Sequence, residues 1–240
     1  LAATALLHST IVVEQRGTLK SWTVLLAILA FSLSLVGTFI VRSGLLTSVH
    51  SFASDPARGV FILGILMVAV GVPLLLFAVR GPQLVSRGDF NIISREGALI
   101  LNNFLLTSAT VVVLVGTFYP LGLEMVTGAR ITVGPPYFDA TFNPIMGVLV
   151  AAMGIGPLLA WRRGTVPGTR RIITISGVIT VVLGVAIAMA TTAFASGISI
   201  AGIAGIGLLI WLGSAIIADI TYRLKPAKAG VAARAARLPA

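Results

Sequence analysis

The sequence predicts an all-α membrane protein, a polytopic transmembrane helix bundle with six full spans plus the end of a seventh. Its 240 residues are 57% hydrophobic and only 10% charged, with a mean hydropathy of +1.06. Soluble domains are closer to half apolar and a quarter charged. Six runs of roughly 20 apolar residues are present, the length that a helix needs to cross about 30 Å of hydrocarbon. These runs lack the alternating pattern of barrel strands, which excludes a transmembrane barrel.

Glycine, proline or charged residues separate the six apolar runs. The runs cover residues 22–41, 59–79, 98–120, 141–161, 172–194 and 198–220. Residues 1–13 are apolar but too short to span, and no basic segment precedes them as in a signal peptide. We therefore expect 1–13 to be the end of a cut transmembrane helix, and the chain to be cut at both ends. Residues 14–220 are predicted to form the six-span bundle, with external loops at 42–58 and 121–140, and 221–240 a basic cytoplasmic tail.

The basic residues alternate sharply between the two sides of the predicted bundle. Only Arg42, Arg58 and Arg130 fall on one side. The other side collects Arg16, Lys20, Arg80, Arg87, Arg95, Arg162, Arg163, Arg170, Arg171, Arg223, Lys225, Lys228, Arg234 and Arg237. Short cytoplasmic loops carry the excess of Lys and Arg, so the basic side is predicted to be cytoplasmic. The net charge of +10 is spread over these loops and forms no single basic face, so no nucleic-acid partner is expected.

Polar groups within the spans are few. All seven carboxylates fall in loops or at span ends, which argues against an ion-coupled transporter. Asn102 and Asn103 are the main polar pair inside a span, and we expect them to join one helix to another. The absence of cysteine excludes a disulfide framework and a thiolate metal site.

The two histidines, His8 and His50, are predicted to lie at different depths. His8 precedes Glu14, at the cytoplasmic edge, by six residues, which places it about 9 Å inside the membrane. His50 belongs to the external segment, about 20 Å or more away along the membrane normal. Two imidazoles on one metal ion need ring nitrogens about 4 Å apart, so these histidines serve different sites. Spacing alone leaves open a hydrogen-bonded interface role for each.

Several collinear stretches resemble the CcmF family of cytochrome c biogenesis proteins. They are residues 6–9 (Leu-Leu-His-Ser), 20–27 (Lys-Ser-Trp-Thr-Val-Leu-Leu-Ala), 41–44 (Val-Arg-Ser-Gly) and 47–56 (Thr-Ser-Val-His-Ser-Phe-Ala-Ser-Asp-Pro), with 101–103, 116–120 and 133–138 further along. The resemblance is clear to about Trp161. Beyond that residue, only the spans and their order match.

The resemblance implies the membrane haem lyase subunit, which joins haem to the CxxCH thiols of apocytochromes c outside the inner membrane. His8 matches one of two axial ligands of a permanently bound b-type haem. His50 matches the second of two histidines that flank a Trp-rich external domain and hold haem in transit. Arg42 and Arg58 lie on the same external side and could pair with haem propionates. Ordinary interfacial arginines are the alternative for both.

The resemblance also implies the surroundings of the protein. The cofactor is haem b, and the expected partners are the lipid bilayer, other cytochrome c maturation subunits, a haem chaperone, apocytochrome c and quinol as the reductant. The remaining ligands are expected before Leu1 and after Ala240. No catalytic residue is predicted. Two other functions stay open: a haem-binding electron-transfer or haem-export protein without attachment chemistry, and a structural membrane module.

Overall fold

The computed structural model describes residues 1–43, 55–84, 92–161, 168–193 and 199–224. In these ranges the chain forms seven α-helices and two short 3₁₀ segments. The helices are α1 (Ala2–Arg16), α2 (Lys20–Ser43), α3 (Pro56–Arg80), α4 (Arg95–Thr127), α5 (Pro135–Met153), α6 (Thr169–Ala193) and α7 (Ile200–Leu224). The 3₁₀ segments, Gly81–Gln83 and Gly156–Leu158, follow α3 and α5. No strand occurs in the described ranges, so the all-α prediction is confirmed.

All six predicted spans correspond to helices that are long and apolar enough to cross a membrane. They are the helices α2 to α7, whereas α1 has 15 residues and falls short of a full span. Large apolar side chains point outward along these helices; Phe61 and Leu75 on α3 are 70% and 66% exposed. Such exposure would be costly in water and is favourable in hydrocarbon. The chain is therefore a multi-pass membrane protein.

The predicted external loop at 121–140 is too long, because α4 does not end at Pro120. This helix has 33 residues and contains Pro120 in its interior. It ends where Gly128 adopts a left-handed conformation, with φ of 71°, and the Gly128 N–H donates to the Glu124 carbonyl over 2.9 Å. Membrane helices tolerate proline because neighbouring groups satisfy the freed carbonyl. Only residues 128–134 lie outside helices here.

The other predicted boundaries differ by a few residues. The first helix continues three residues beyond position 13, to Arg16. The loop predicted at 42–58 is narrower, since Arg42 belongs to α2 and Arg58 to α3. Residues 221–224, assigned to the tail, still belong to α7. Polar residues that follow an apolar run often continue the helix for a few more residues.

The chain divides into two compact units. The first comprises Leu1–Asp89 and Leu99–Phe142. Within it, α1 lies against α2 and α2 lies against α3. A hydroxyl pair, Ser9 and Thr23, joins the first two helices. The Thr23 O–H donates its only proton to the Leu19 carbonyl over 3.0 Å. The Ser9 O–H is therefore the donor to Thr23 Oγ1, over 2.6 Å.

The second unit comprises Phe90–Ala98 and Asn143–Ala240. Within it, α6 lies against α7, and the Trp211 indole on α7 donates to the Ala151 carbonyl on α5 over 3.0 Å. The guanidinium of Arg95 lies 5.4 Å from the ring centroid of Trp161, within the range of a cation–π interaction. The Trp211 bond joins α7 to α5, and the Arg95–Trp161 contact joins the start of α4 to the segment that follows α5.

Candidate functional site

His8 lies at the edge of the buried face of α1. That face consists of Ala2, Ala5, Ser9 and Val12, at the spacing of a single helix face, and His8 adjoins it half-buried. A polar imidazole in this position is surrounded by helices with few other polar groups. Desolvating such a group is costly unless it is paired, so its partner is informative.

The partner of His8 is Asn102 on α4. The Nδ1 atom of His8 lies 2.8 Å from Nδ2 of Asn102. The donor and acceptor roles in this bond depend on the tautomer of the ring. The bond joins residues 94 positions apart in the sequence. The prediction that the asparagine pair joins one helix to another is confirmed for Asn102, whereas the Asn103 side chain makes no hydrogen bond among the described residues.

Several buried polar atoms beside this bond have no hydrogen-bond partner among the described residues. They are Oδ1 of Asn102, both side-chain polar atoms of Asn103, and Oγ1 of Thr107. Asn103 is only 1% exposed. A buried polar group without a partner costs about 1–3 kcal/mol. Asn103 follows Asn102 directly on α4, and Thr107 lies one turn beyond Asn103 on the same face of the helix.

These residues fit a haem axial ligand. Asn102 occupies Nδ1 of His8, and no other hydrogen bond to this ring exists among the described residues, so Nε2 is the nitrogen open to a metal. Histidine is a common haem ligand, and its second nitrogen usually bonds to a neighbouring polar group. The described residues supply one such ligand and contain no cluster of three metal-binding side chains.

Arg42 and Arg58, which are predicted to be external, lie where α2 ends and α3 begins. The Asp55 N–H donates to the Arg42 carbonyl over 2.9 Å. Asp55 also caps α3, since its Oδ1 accepts from the Arg58 N–H over 3.2 Å. The helices approach so closely that a Cβ on Gly59 would lie 3.0 Å from the Ser43 Cα. We call Arg42, Ser43, Asp55, Arg58 and Gly59 the loop base.

The guanidinium of Arg58 pairs with the Asp55 carboxylate, with Nε and Oδ2 3.1 Å apart. The Arg58 side chain is 72% exposed, so this pair adds little stability and leaves most of the guanidinium accessible. His50 lies outside the described residues. Residues 44–54, which include His50, connect Ser43 to Asp55 and so begin and end at the loop base.

The structure separates His8 from the loop base. The Ser9–Thr23 bond shows which turn of α2 lies beside His8, and Arg42 is 19 residues further along α2. At 1.5 Å per residue this is about 28 Å. The prediction that His8 and His50 serve different sites stays a prediction, because His50 lies outside the described residues.

Two of the sequence stretches that carry the resemblance contact each other. Gly116 on α4 lies beneath the rings of Tyr137 and Phe138 on α5, and a Cβ there would approach Tyr137 Cε1 to 2.9 Å. The Tyr137 O–H donates to the Val112 carbonyl over 2.9 Å, and its ring lies edge-on to Phe138. This contact between α4 and α5 was not predicted from the sequence. The only signal for it was the presence of a glycine in one stretch and two aromatic residues in the other.

Comparison with known proteins found curated relatives of the same kind. The chain is 60% identical over 168 residues to the cytochrome c-type biogenesis protein CycK of Rhizobium meliloti, covering 70% of this chain and 25% of the relative. It is 50% identical over 223 residues to CycK of Bradyrhizobium diazoefficiens, covering 93% and 33%. It is 42% identical over 224 residues to the cytochrome c-type biogenesis protein CcmF of Escherichia coli, covering 93% and 34%.

A solved structure shares the fold. A chain named cytochrome c heme lyase CcmF matches 98% of this chain and 33% of its own length, with a TM-score of 0.66 and 27% identity. No family model matches. The chain thus spans between a quarter and a third of the length of these relatives.

Proposed function

We propose that this chain, which belongs to the CcmF/CycK family of cytochrome c-type biogenesis proteins, forms the part of a membrane haem lyase that holds a b-type haem through His8 and handles substrate haem through His50. The relatives named above support a role in cytochrome c maturation. The observation that carries the finer proposal is the His8–Asn102 bond, which leaves one imidazole nitrogen open to iron within an apolar bundle.

Haem b, when bound, supplies a one-electron redox centre inside the membrane. The residues of this chain would hold and orient it. His8 would hold the iron through Nε2, while Asn102 holds the opposite nitrogen of the ring and restricts its rotation. The Ser9–Thr23 bond fixes α1 against α2 and so fixes the height of His8. The second axial ligand would come from sequence outside the described residues.

At the external end, the proposed role of the loop base is to present the segment that carries His50. Arg42 and Arg58 lie at the two ends of that segment, and the backbone of each makes one hydrogen bond to Asp55. Their positive charges would attract the propionates of an incoming haem, for which arginine is well suited. Apocytochrome c and a haem chaperone would approach this side, and quinol would reach the b-type haem from the bilayer.

The test uses the full-length protein with His8→Ala and His50→Ala compared separately. We expect His8→Ala to lower bound b-type haem at least tenfold, as loss of a direct ligand removes the iron–nitrogen bond. We expect His50→Ala to keep the b-type absorption and to abolish haem attachment to a coexpressed apocytochrome c. Thr10→Ala, on an exposed part of the same helix, is the matched control.

Each outcome decides between the candidate functions. Full b-type absorption in His8→Ala would refute the ligand assignment. Normal attachment in His50→Ala, with haem binding retained, would refute the role proposed for His50. Loss of the b-type haem in His50→Ala would contradict the two-site interpretation.

A further inference from the structure

We propose that Asn102 is a positioning residue for haem b, which holds Nδ1 of His8 through its side-chain amide and so leaves Nε2 as the iron ligand. This inference rests on the proposed function, because it assumes that His8 is an axial ligand. It goes further in assigning a residue that sets the tautomer and the electron donation of that ligand. The argument uses the geometry of one hydrogen bond and the chemistry of its two partners.

The first step concerns the proton of the imidazole ring. In the structure, the Asn102 side-chain amide lies 2.8 Å from His8 Nδ1 and covers this nitrogen. Iron needs the lone pair of a ring nitrogen. Since Nδ1 is covered, Nε2 is the ligand, and the proton of the neutral ring is then on Nδ1.

The second step concerns the amide. With iron on Nε2, the Nδ1–H group of His8 needs an acceptor. The Asn102 amide is in hydrogen-bond contact with Nδ1, and its oxygen is an acceptor, so Nδ1–H donates to Oδ1 of Asn102 in the haem-bound protein.

The third step explains why an amide suits this position. An amide satisfies the ring in both states, as a donor before haem binds and as an acceptor afterwards. A carboxylate would only accept, and an aliphatic side chain would do neither. Asn102 therefore supports a haem-free protein that remains folded and a haem-bound protein with a fixed ligand ring. Acceptors on the outer nitrogen of a ligating histidine raise its basicity, which favours the ferric iron.

The experiment measures the midpoint potential of the b-type haem in the full-length protein. Asn102→Leu removes the acceptor, so the iron becomes easier to reduce. We expect about a tenfold rise in the ratio of reduced to oxidised haem at a fixed poise, equal to about 59 mV for one electron. Asn102→Asp supplies a stronger acceptor, and we expect a shift of the opposite sign. A purely structural role would not give shifts of opposite sign.

The adjacent Asn103 provides the matched control, since it is equally polar, more deeply buried and makes no bond to His8. We expect Asn103→Leu to leave the potential unchanged. Equal shifts in Asn102→Leu and Asn103→Leu, or no shift in either Asn102 variant, would overturn the inference. If His8→Ala retains the haem, the proposed function fails instead. If His8 is the ligand and the potentials do not move, only the role of Asn102 fails.

Discussion

Substitution of Gly59 by alanine tests how closely α2 and α3 must approach at the loop base. A Cβ on Gly59 would lie 3.0 Å from Ser43 Cα and 3.4 Å from Ser43 N and Cβ. Carbon atoms in ordinary contact are about 3.5–4.0 Å apart, so the helices must separate by about 0.5 Å or more. The nearest atom belongs to the backbone, so no side-chain rotation can relieve the contact.

Two opposing effects set the size of the change. Forcing an extra methyl group into a packed contact costs about 1–3 kcal/mol. Alanine in place of glycine within a helix gains up to about 1 kcal/mol. Gly64→Ala, five residues further along α3, meets nothing within 4 Å and should show only the gain. The free energy of unfolding should therefore be about 1–3 kcal/mol lower for Gly59→Ala than for Gly64→Ala.

The assay is unfolding of the full-length protein in detergent, together with haem attachment to an apocytochrome c. We expect attachment to fall in Gly59→Ala, because separating the helices stretches the Asp55–Arg42 bond at the base of the segment that carries His50. Gly64→Ala should retain attachment. Equal stability and equal attachment in both variants would show that the close approach is unimportant.

Two further contacts can be tested by single-atom changes. Tyr137→Phe removes the donor to the Val112 carbonyl and keeps the ring, so the free energy of unfolding should fall by about 1 kcal/mol. Tyr119→Phe, at a residue that is 58% exposed, should leave the free energy of unfolding unchanged. Equal effects of the two substitutions would contradict the Tyr137–Val112 bond. Asp55→Ala removes the cap of α3 and the ion pair with Arg58, so the free energy of unfolding should fall by about 1 kcal/mol. Asp55→Asn keeps the cap and should keep most of the stability. A large loss of stability in both variants would show that the charge of Asp55 matters more than the cap.

The spans could be predicted because the bilayer imposes one length and one chemistry on every crossing helix. This is a local property, which a run of apolar residues reveals directly. Helix ends are less predictable. Pro120 looked like a terminator, yet α4 continues to Thr127, where Gly128 supplies the left-handed turn and Glu124 pairs with Arg130 over 2.6 Å. The end of that helix depends on interactions beyond the apolar run.

The candidate site could be predicted only in part. A histidine within an apolar run is visible in the sequence, and so is a pair of asparagines in a span. That His8 contacts Asn102 and not Asn103 depends on the rotation of two helices about their axes, which apolar runs do not determine. The roles of His50, Arg42 and Arg58 remain predictions, and His50 lies outside the described residues.

The bond between Arg42 and Asp55 makes the segment between them an exchangeable module. Its two ends are already joined, so the entropy lost in closing the loop depends only weakly on its length. Each doubling of length adds about 0.6 kcal/mol. Changes in the length of residues 44–54 are therefore expected to leave α2 and α3 in place. A graft of the corresponding segment from another family member would inherit the same anchorage, so this junction is a practical boundary for exchanging the segment.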